Sequence, residues 1–147
     1  MSKIKSLSDN VDIENKKIIV RSDFNVPVVN ELIQDNTRID LCIPFIKKLL
    51  KRNAKIFLIS HLGRPKNDKD KSLSLKPVFE YLKKKMSNNI FFYDEQIDEN
   101  TKEKVSFLKK GEVLLFENIR FNSGEIKNDD KFCKNLSSFG DIFINDA

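Results

Sequence analysis

Asp23 and Asn25, in Arg21-Ser22-Asp23-Phe24-Asn25-Val26-Pro27, put a carboxylate and an amide on one side of an extended backbone and Phe24 on the other. Such groups hydrogen-bond hydroxyl and carboxylate oxygens. A second polar stretch, Ser60-His61-Leu62-Gly63-Arg64-Pro65, holds the single histidine and a glycine that lets a ligand approach the backbone. Arg120 follows Glu117 and Asn118 in a third. Of the 27 basic residues 22 are Lys and only five are Arg (21, 38, 52, 64 and 120), so arginine marks places where a fixed bidentate fork is needed, as for carboxylate or phosphate. Arg64, Arg120 and His61 suit phosphate, and Asp23 and Asn25 suit the hydroxyl or carboxylate end of a small, multiply charged anion.

Positioning these groups requires a scaffold, and five short apolar runs provide one: residues 17–20, 55–60, 90–93, 113–117 and 141–145. They alternate with helical patterns, the rhythm of a parallel sheet, and their near-continuous hydrophobicity suits strands covered on both faces. The first strand is expected to end near Pro27, which cannot donate to a ladder. Ile39, Cys42, Ile43, Ile46, Leu49 and Leu50 recur at helical spacing after Asn36 or Thr37 as N-cap, which puts Arg38 in a first turn and Pro44 where it bends the helix or marks its effective start. A second helix is predicted after Ser74 with Pro77 in its first turn, a weaker third over 99–109 closed by Gly111, and a fourth over 129–139 with Gly140 as a left-handed terminator. The stretches 66–71 and 125–130 read as solvated connections. The fold class is α/β, a Rossmann-like doubly wound parallel sheet in three α/β/α layers.

Composition narrows the functional classes. A chain of 147 residues with 39% hydrophobic and 33% charged residues is expected to be one soluble domain, and no apolar run nears the roughly 18 residues of a membrane span. The first ten residues lack the apolar core of a secretory signal, so a cytoplasmic protein is expected. Cys42 and Cys133 fall in apolar-periodic helical stretches and read as small buried hydrophobes, without metal-ligand spacing. The net charge of +5 comes from lysines spread along the chain without aromatic interleaving, which argues for solvated helix faces over nucleic-acid binding.

Parallel strands share a direction, so the ends of the first, second and fourth open on one rim. Arg21 ends the first strand, Arg38 opens the helix after it, Arg64 follows the second and Arg120 follows the fourth. Taken singly, each has a blander role: Arg21 in an ion pair with the nearby Asp, His61 as a hydrogen-bonded structural residue, Arg120 as a loop-closing side chain. Three readings of the rim stand at this point: a phosphate-type anion site, a flavodoxin-like domain of another function, and a nucleic-acid-binding surface.

The motifs Arg21-Ser-Asp-Phe-Asn-Val-Pro27, Asp35-Asn-Thr-Arg-Ile39, Ser60-His-Leu-Gly-Arg-Pro65, Leu114-Leu-Phe-Glu-Asn-Ile-Arg-Phe121 and Ile144-Asn-Asp-Ala147, in that order, resemble the amino-terminal domain of phosphoglycerate kinases. The resemblance implies a glycolytic, monomeric two-domain enzyme that moves a phosphoryl group between 1,3-bisphosphoglycerate and ADP to give 3-phosphoglycerate and ATP. It implies that residues 1–147 supply the acid-substrate half, with Asp23, Phe24, Asn25, Arg38, His61, Leu62, Gly63, Arg64 and Arg120 at the substrate and Arg38 nearest the transferred group. Mg-ATP or Mg-ADP would bind a carboxyl-terminal domain absent here: the four glycines form no phosphate-cradling run. By the same resemblance the sequence is a partial one, inactive alone. Asn53 and Asn122 depart from the family's usual residues only in connections.

Overall fold

The structure is a computed structural model that describes residues 2–4, 11–66, 70–86, 89–122 and 130–146. All five expected strands form: β2 (Lys17–Arg21), β5 (Lys55–Ile59), β6 (Ile90–Tyr93), β7 (Val113–Phe116) and β8 (Ile142–Asn145). With β1 (Ser2–Ile4) they make a six-stranded, wholly parallel sheet in the order β1-β8-β2-β5-β7-β6. The extra strand was not anticipated, because three residues with one apolar side chain carry no periodic signal. A separate antiparallel hairpin joins β3 (Val28–Val29) to β4 (Leu32–Ile33). Its two turn residues, Asn30 and Glu31, both take positive φ (51° and 64°), as a type I′ turn demands, and no glycine advertises that turn in the sequence.

Side chains alternate across the sheet and divide the core in two. Ile18, Val20, Ile56, Leu58, Val113 and Leu115 face one way and pack with α1 (Thr37–Lys51) and α2 (Lys76–Met86). Ile19, Phe57, Ile59, Leu114 and Phe116 face the other way, where Val105, Leu108, Phe132 and Phe139 cover them. Phe57, Phe116 and Phe139 meet ring against ring with centroids 5.2–6.2 Å apart. The three-layer, doubly wound architecture follows from this alternation, since helices on both faces require strands apolar on both faces.

Several helix boundaries differ from expectation. Asn36 occupies the N-cap of α1 without a side-chain bond; Asp35 accepts from the amide and the hydroxyl of Thr37 instead, at 3.0 and 2.7 Å. These bonds, the hydroxyl's first, hold the Asp35 carboxyl below its usual pKa. Pro44 lies inside α1, which runs through it. The third helix shrinks to one turn, α3 (Thr101–Lys104), because only Val105 and Leu108 beyond it are buried anchors. The fourth, α4 (Asp130–Ser137), buries Phe132 but leaves Cys133 exposed, contrary to the expectation for that thiol. Gly140 does not adopt positive φ, so it is not the left-handed terminator; Gly111 does, at +80°. Asp129, the rest of the 125–130 connection before Asp130, and residues 67–69 of the 66–71 connection lie outside the described residues.

Candidate functional site

The three strands that deliver polar residues, β2, β5 and β7, are neighbours in the sheet, and their carboxyl ends meet because Arg21 pairs with Ile59 and Leu58 with Leu115. The first strand stops at Arg21, six residues before Pro27. Beyond it the backbone takes other partners. Ser22 N–H donates to Ile59 O, Phe24 N–H to the Ser60 hydroxyl at 3.0 Å, and Val26 N–H back to Phe24 O. Burial still alternates, with Ser22, Phe24 and Val26 buried and Asp23 and Asn25 half-buried, so the predicted facing survives the loss of the strand.

Asp23 accepts from the Asn25 amide at 3.2 Å and lies 3.5 Å from Arg38 Nη1, which also donates to Asn25 O at 2.9 Å. Arg38, in the first turn of α1, makes both contacts through Nη1, and its side chain is largely exposed. Asn25 Oδ1 accepts from Gly63 N–H at 3.0 Å, and Gly63 O accepts from Arg120 Nη1 at 3.2 Å. A continuous chain of contacts therefore runs from Arg38 through Asn25 and Gly63 to Arg120. Gly63 has φ +58°, and a Cβ there would sit 2.8 Å from Leu73 Cδ2, so both conformation and space call for glycine.

His61 is half-buried and Arg64 exposed on the loop between these points. Phe24 and Leu62 are buried; Phe24 N–H donates to the Ser60 hydroxyl, and Leu62 O accepts from Asn118 Nδ2. Under the rim, Cys42 donates to Arg38 O at 3.3 Å, and burial pushes its thiol pKa up. Burial likewise raises the Asp146 carboxyl, whose N–H donates to Arg21 O. The rim so assembled carries the guanidinium groups of Arg38 and Arg120, with the exposed Arg64 on the loop between them and the Asp23 carboxylate beside Arg38, an arrangement able to hold an anion bearing several oxygens.

Sequence reasoning missed the supports behind this rim, Glu117 and Asn118. Both are buried. Glu117 accepts from Ser74 Oγ, Leu75 N–H and its neighbour Asn118 N–H, while Asn118 donates to Leu62 O and Leu73 O and accepts from Arg120 N–H. One signal was present: an acid directly after the wholly apolar run Val113–Phe116 has to be met by donors if it is buried. Among the described residues no group of three His, Cys, Asp or Glu side chains could hold a metal ion, and no helix is long and apolar enough to cross a membrane.

Fold and rim define a doubly wound α/β domain with an arginine-bearing polar edge at the carboxyl ends of three adjacent strands. Comparison with known proteins narrows that class. The phosphoglycerate kinase family model matches residues 8–147. The chain is 44% identical over 138 residues to a phosphoglycerate kinase of Pseudothermotoga lettingae, covering 93% of this chain and 35% of that protein. It is 43% identical over 146 residues to one of Coprothermobacter proteolyticus, covering 99% and 37%. Among solved structures, phosphoglycerate kinase from Coxiella burnetii superposes with a TM-score of 0.83 at 35% identity, over 94% of this chain and 34% of that one. The enzyme from Pyrococcus horikoshii gives the same TM-score at 24% identity, over 100% and 36%, a likeness of fold. The chain belongs to the phosphoglycerate kinase family, and it spans about a third of the length of the relatives it matches.

Proposed function

We propose that residues 1–147 form the acid-substrate half of a phosphoglycerate kinase and bind 3-phosphoglycerate and 1,3-bisphosphoglycerate at the rim. The observation that carries this reading is the contact chain Arg38–Asn25–Gly63–Arg120, which joins three strand ends into one cationic edge. Arg120, Arg64 and His61 take the phosphate that is not transferred. Asp23 and Asn25 orient the glycerate hydroxyl and carboxyl. Arg38 stands at the other end with its fork free to face the transferred group. Moving a phosphoryl group from the acyl phosphate to ADP breaks one P–O bond, makes another and releases a carboxylate, so no side-chain nucleophile is needed. Charge spreads over the equatorial phosphoryl oxygens, and a guanidinium beside them stabilises it.

We place the Mg-nucleotide on a second domain outside this chain, since the scattered glycines here build no phosphate cradle and the relatives are nearly three times as long. The protein is then a cytoplasmic monomer with no affinity for nucleic acid or membrane, its exposed lysines, such as Lys83, Lys84 and Lys85 on α2, being solvated.

Titration of the ¹⁵N-labelled chain with 3-phosphoglycerate tests the reading. Saturable shifts are expected at the amides of Asp23, Asn25, Gly63 and Arg64, and their loss in Arg120→Ala. Identical shifts from inorganic phosphate at equal concentration, or none from either, would overturn it. No ATP is expected from 1,3-bisphosphoglycerate and ADP with this chain alone; turnover there would sink the half-site assignment.

A further inference from the structure

The peptide unit between Leu62 and Gly63 is gripped at both ends. Its carbonyl, Leu62 O, accepts from Asn118 Nδ2 at 2.8 Å, and its N–H, on Gly63, donates to Asn25 Oδ1 at 3.0 Å. A planar peptide held at both poles cannot rotate about its own axis. The next carbonyl, Gly63 O, is held by Arg120, whose own amide donates to Asn118 Oδ1 at 3.1 Å. Asn118 thus holds the rim loop directly at Leu62 and, through Arg120, at Gly63, while being completely buried. Its second Nδ2 proton goes to Leu73 O at 2.9 Å, in the turn Lys71–Leu73 that precedes α2.

Glu117 braces this grip. One carboxylate oxygen accepts from Leu75 N–H at 2.7 Å and from Asn118 N–H at 2.8 Å; the other accepts from Ser74 Oγ at 2.6 Å. The Ser74 hydroxyl in turn accepts from Lys76 N–H at the start of α2. A carboxylate from the end of β7 therefore satisfies donors at the amino end of a helix more than forty positions away in sequence, where the helix dipole also favours negative charge. With all its bonds directed at α2 and Asn118, Glu117 is turned away from the anions the rim would take.

We propose that Asn118, braced by Glu117, is the positioning residue of the anion rim: it sets the orientation of the Leu62–Gly63 peptide and of Arg120, and so the affinity for a phosphate-bearing ligand, without touching that ligand. The inference rests on the substrate reading above for its ligand and on the hydrogen bonds for its mechanism. It also makes the amino end of α2 part of the same rigid unit as the rim.

The test compares Asn118→Ala, Glu117→Ala, Glu117→Gln and Ser74→Ala in the chain, by titration with 3-phosphoglycerate and by hydrogen exchange of single amides. Loss of the grip is expected to weaken 3-phosphoglycerate binding about tenfold in the two alanine variants at 117 and 118, the effect of roughly one or two buried hydrogen bonds. Exchange at Gly63 N–H is expected to accelerate by a similar factor, while Ser22 N–H, bonded to Ile59 O at the end of the sheet, keeps its rate. Glu117→Gln can retain the pattern, its Nε2 donating to Ser74 Oγ, and is expected to restore affinity to within about threefold. Unchanged affinity in both alanine variants, or acceleration of Gly63 and Ser22 together, overturns the proposal, because a merely structural role moves the whole sheet. Should Asn118→Ala not fold, Ser74→Ala reads the same two quantities with smaller changes of the same sign, and no change in either overturns it. If the unmodified chain fails to bind 3-phosphoglycerate, the substrate reading falls alone, since exchange at Gly63 still decides whether Asn118 holds the loop.

Discussion

The two loops that face each other across the rim are held by opposite means. The loop after β2 hangs from Phe24, wholly buried, and from Val26, with a buried bond from Phe24 N–H to the Ser60 hydroxyl, while its side-chain ion pair lies open to solvent: Arg38 and Asp23 are 57% and 39% exposed where they meet. The loop after β7 hangs from Glu117 and Asn118, whose bonds to Ser74, Leu75, Leu62 and Leu73 are buried or nearly so. Apolar burial is non-directional and fixes how deep a segment sits; hydrogen bonds add an angular requirement and fix where it points. The half bearing Arg38 is anchored chiefly in depth, and its ion pair is open to solvent. The half bearing Gly63 and Arg120 is anchored in both.

The comparison breaks most easily at Phe24. Phe24→Ala is expected to cost about 3–5 kcal/mol in urea unfolding, the range for a fully buried aromatic. A loss below about 1 kcal/mol would show that the first loop has another anchor.

Cys42 reports on the same loop from beneath, next in order of effect. Its thiol lies against Arg38 O and near Asp23, and burial raises its pKa, whereas Cys133 is exposed on α4. Thiol reagents are expected to label Cys133 at once and Cys42 on the order of 100-fold more slowly, since thiolate and access are both reduced. The sign for stability follows from the raised pKa. Below the ordinary thiol value both folded and unfolded forms are protonated and the contribution is intact; as pH rises toward the folded value the unfolded thiol ionises first and stability falls. Removal of that alkaline loss by Cys42→Ala is the check. Equal labelling of the two cysteines would mean that the loop opens readily and depth is not fixed either.

How much of this was legible in the sequence depends on the range of the interaction. The five core strands were, because their apolar runs are local and nearly unbroken, and so was the common rim, because parallel strands share a direction. The alternation of residues 22–26 was read correctly even though the strand ends at Arg21, since packing of Phe24 and Val26 keeps the period after ladder bonds cease. What escaped was non-local or glycine-free. Glu117 needs Ser74 and Leu75, Asn118 needs Leu62 and Leu73, and no spacing rule connects positions that far apart. The Asn30–Glu31 turn and the three-residue β1 carry too few residues for a pattern, and Cys133 fell on the wet side of a helix whose apolar face is narrower than its composition suggested.

The smallest effect is expected at the ion pair of the first loop. Arg38 and Asp23 meet at 3.5 Å with both side chains substantially exposed, so a double-mutant cycle of Arg38→Ala and Asp23→Ala on stability is expected to give a coupling of about 0.2–1 kcal/mol. Solvent screening sets that scale, and the coupling should fade toward zero near roughly 1 M salt, where the Debye length is about 3 Å. A weak pair leaves the guanidinium able to turn to another oxygen ligand at little cost, whereas one locked to a carboxylate would first have to break that lock. Coupling above about 2 kcal/mol that survives high salt would make the first loop as rigidly aimed as the second and remove the contrast between them.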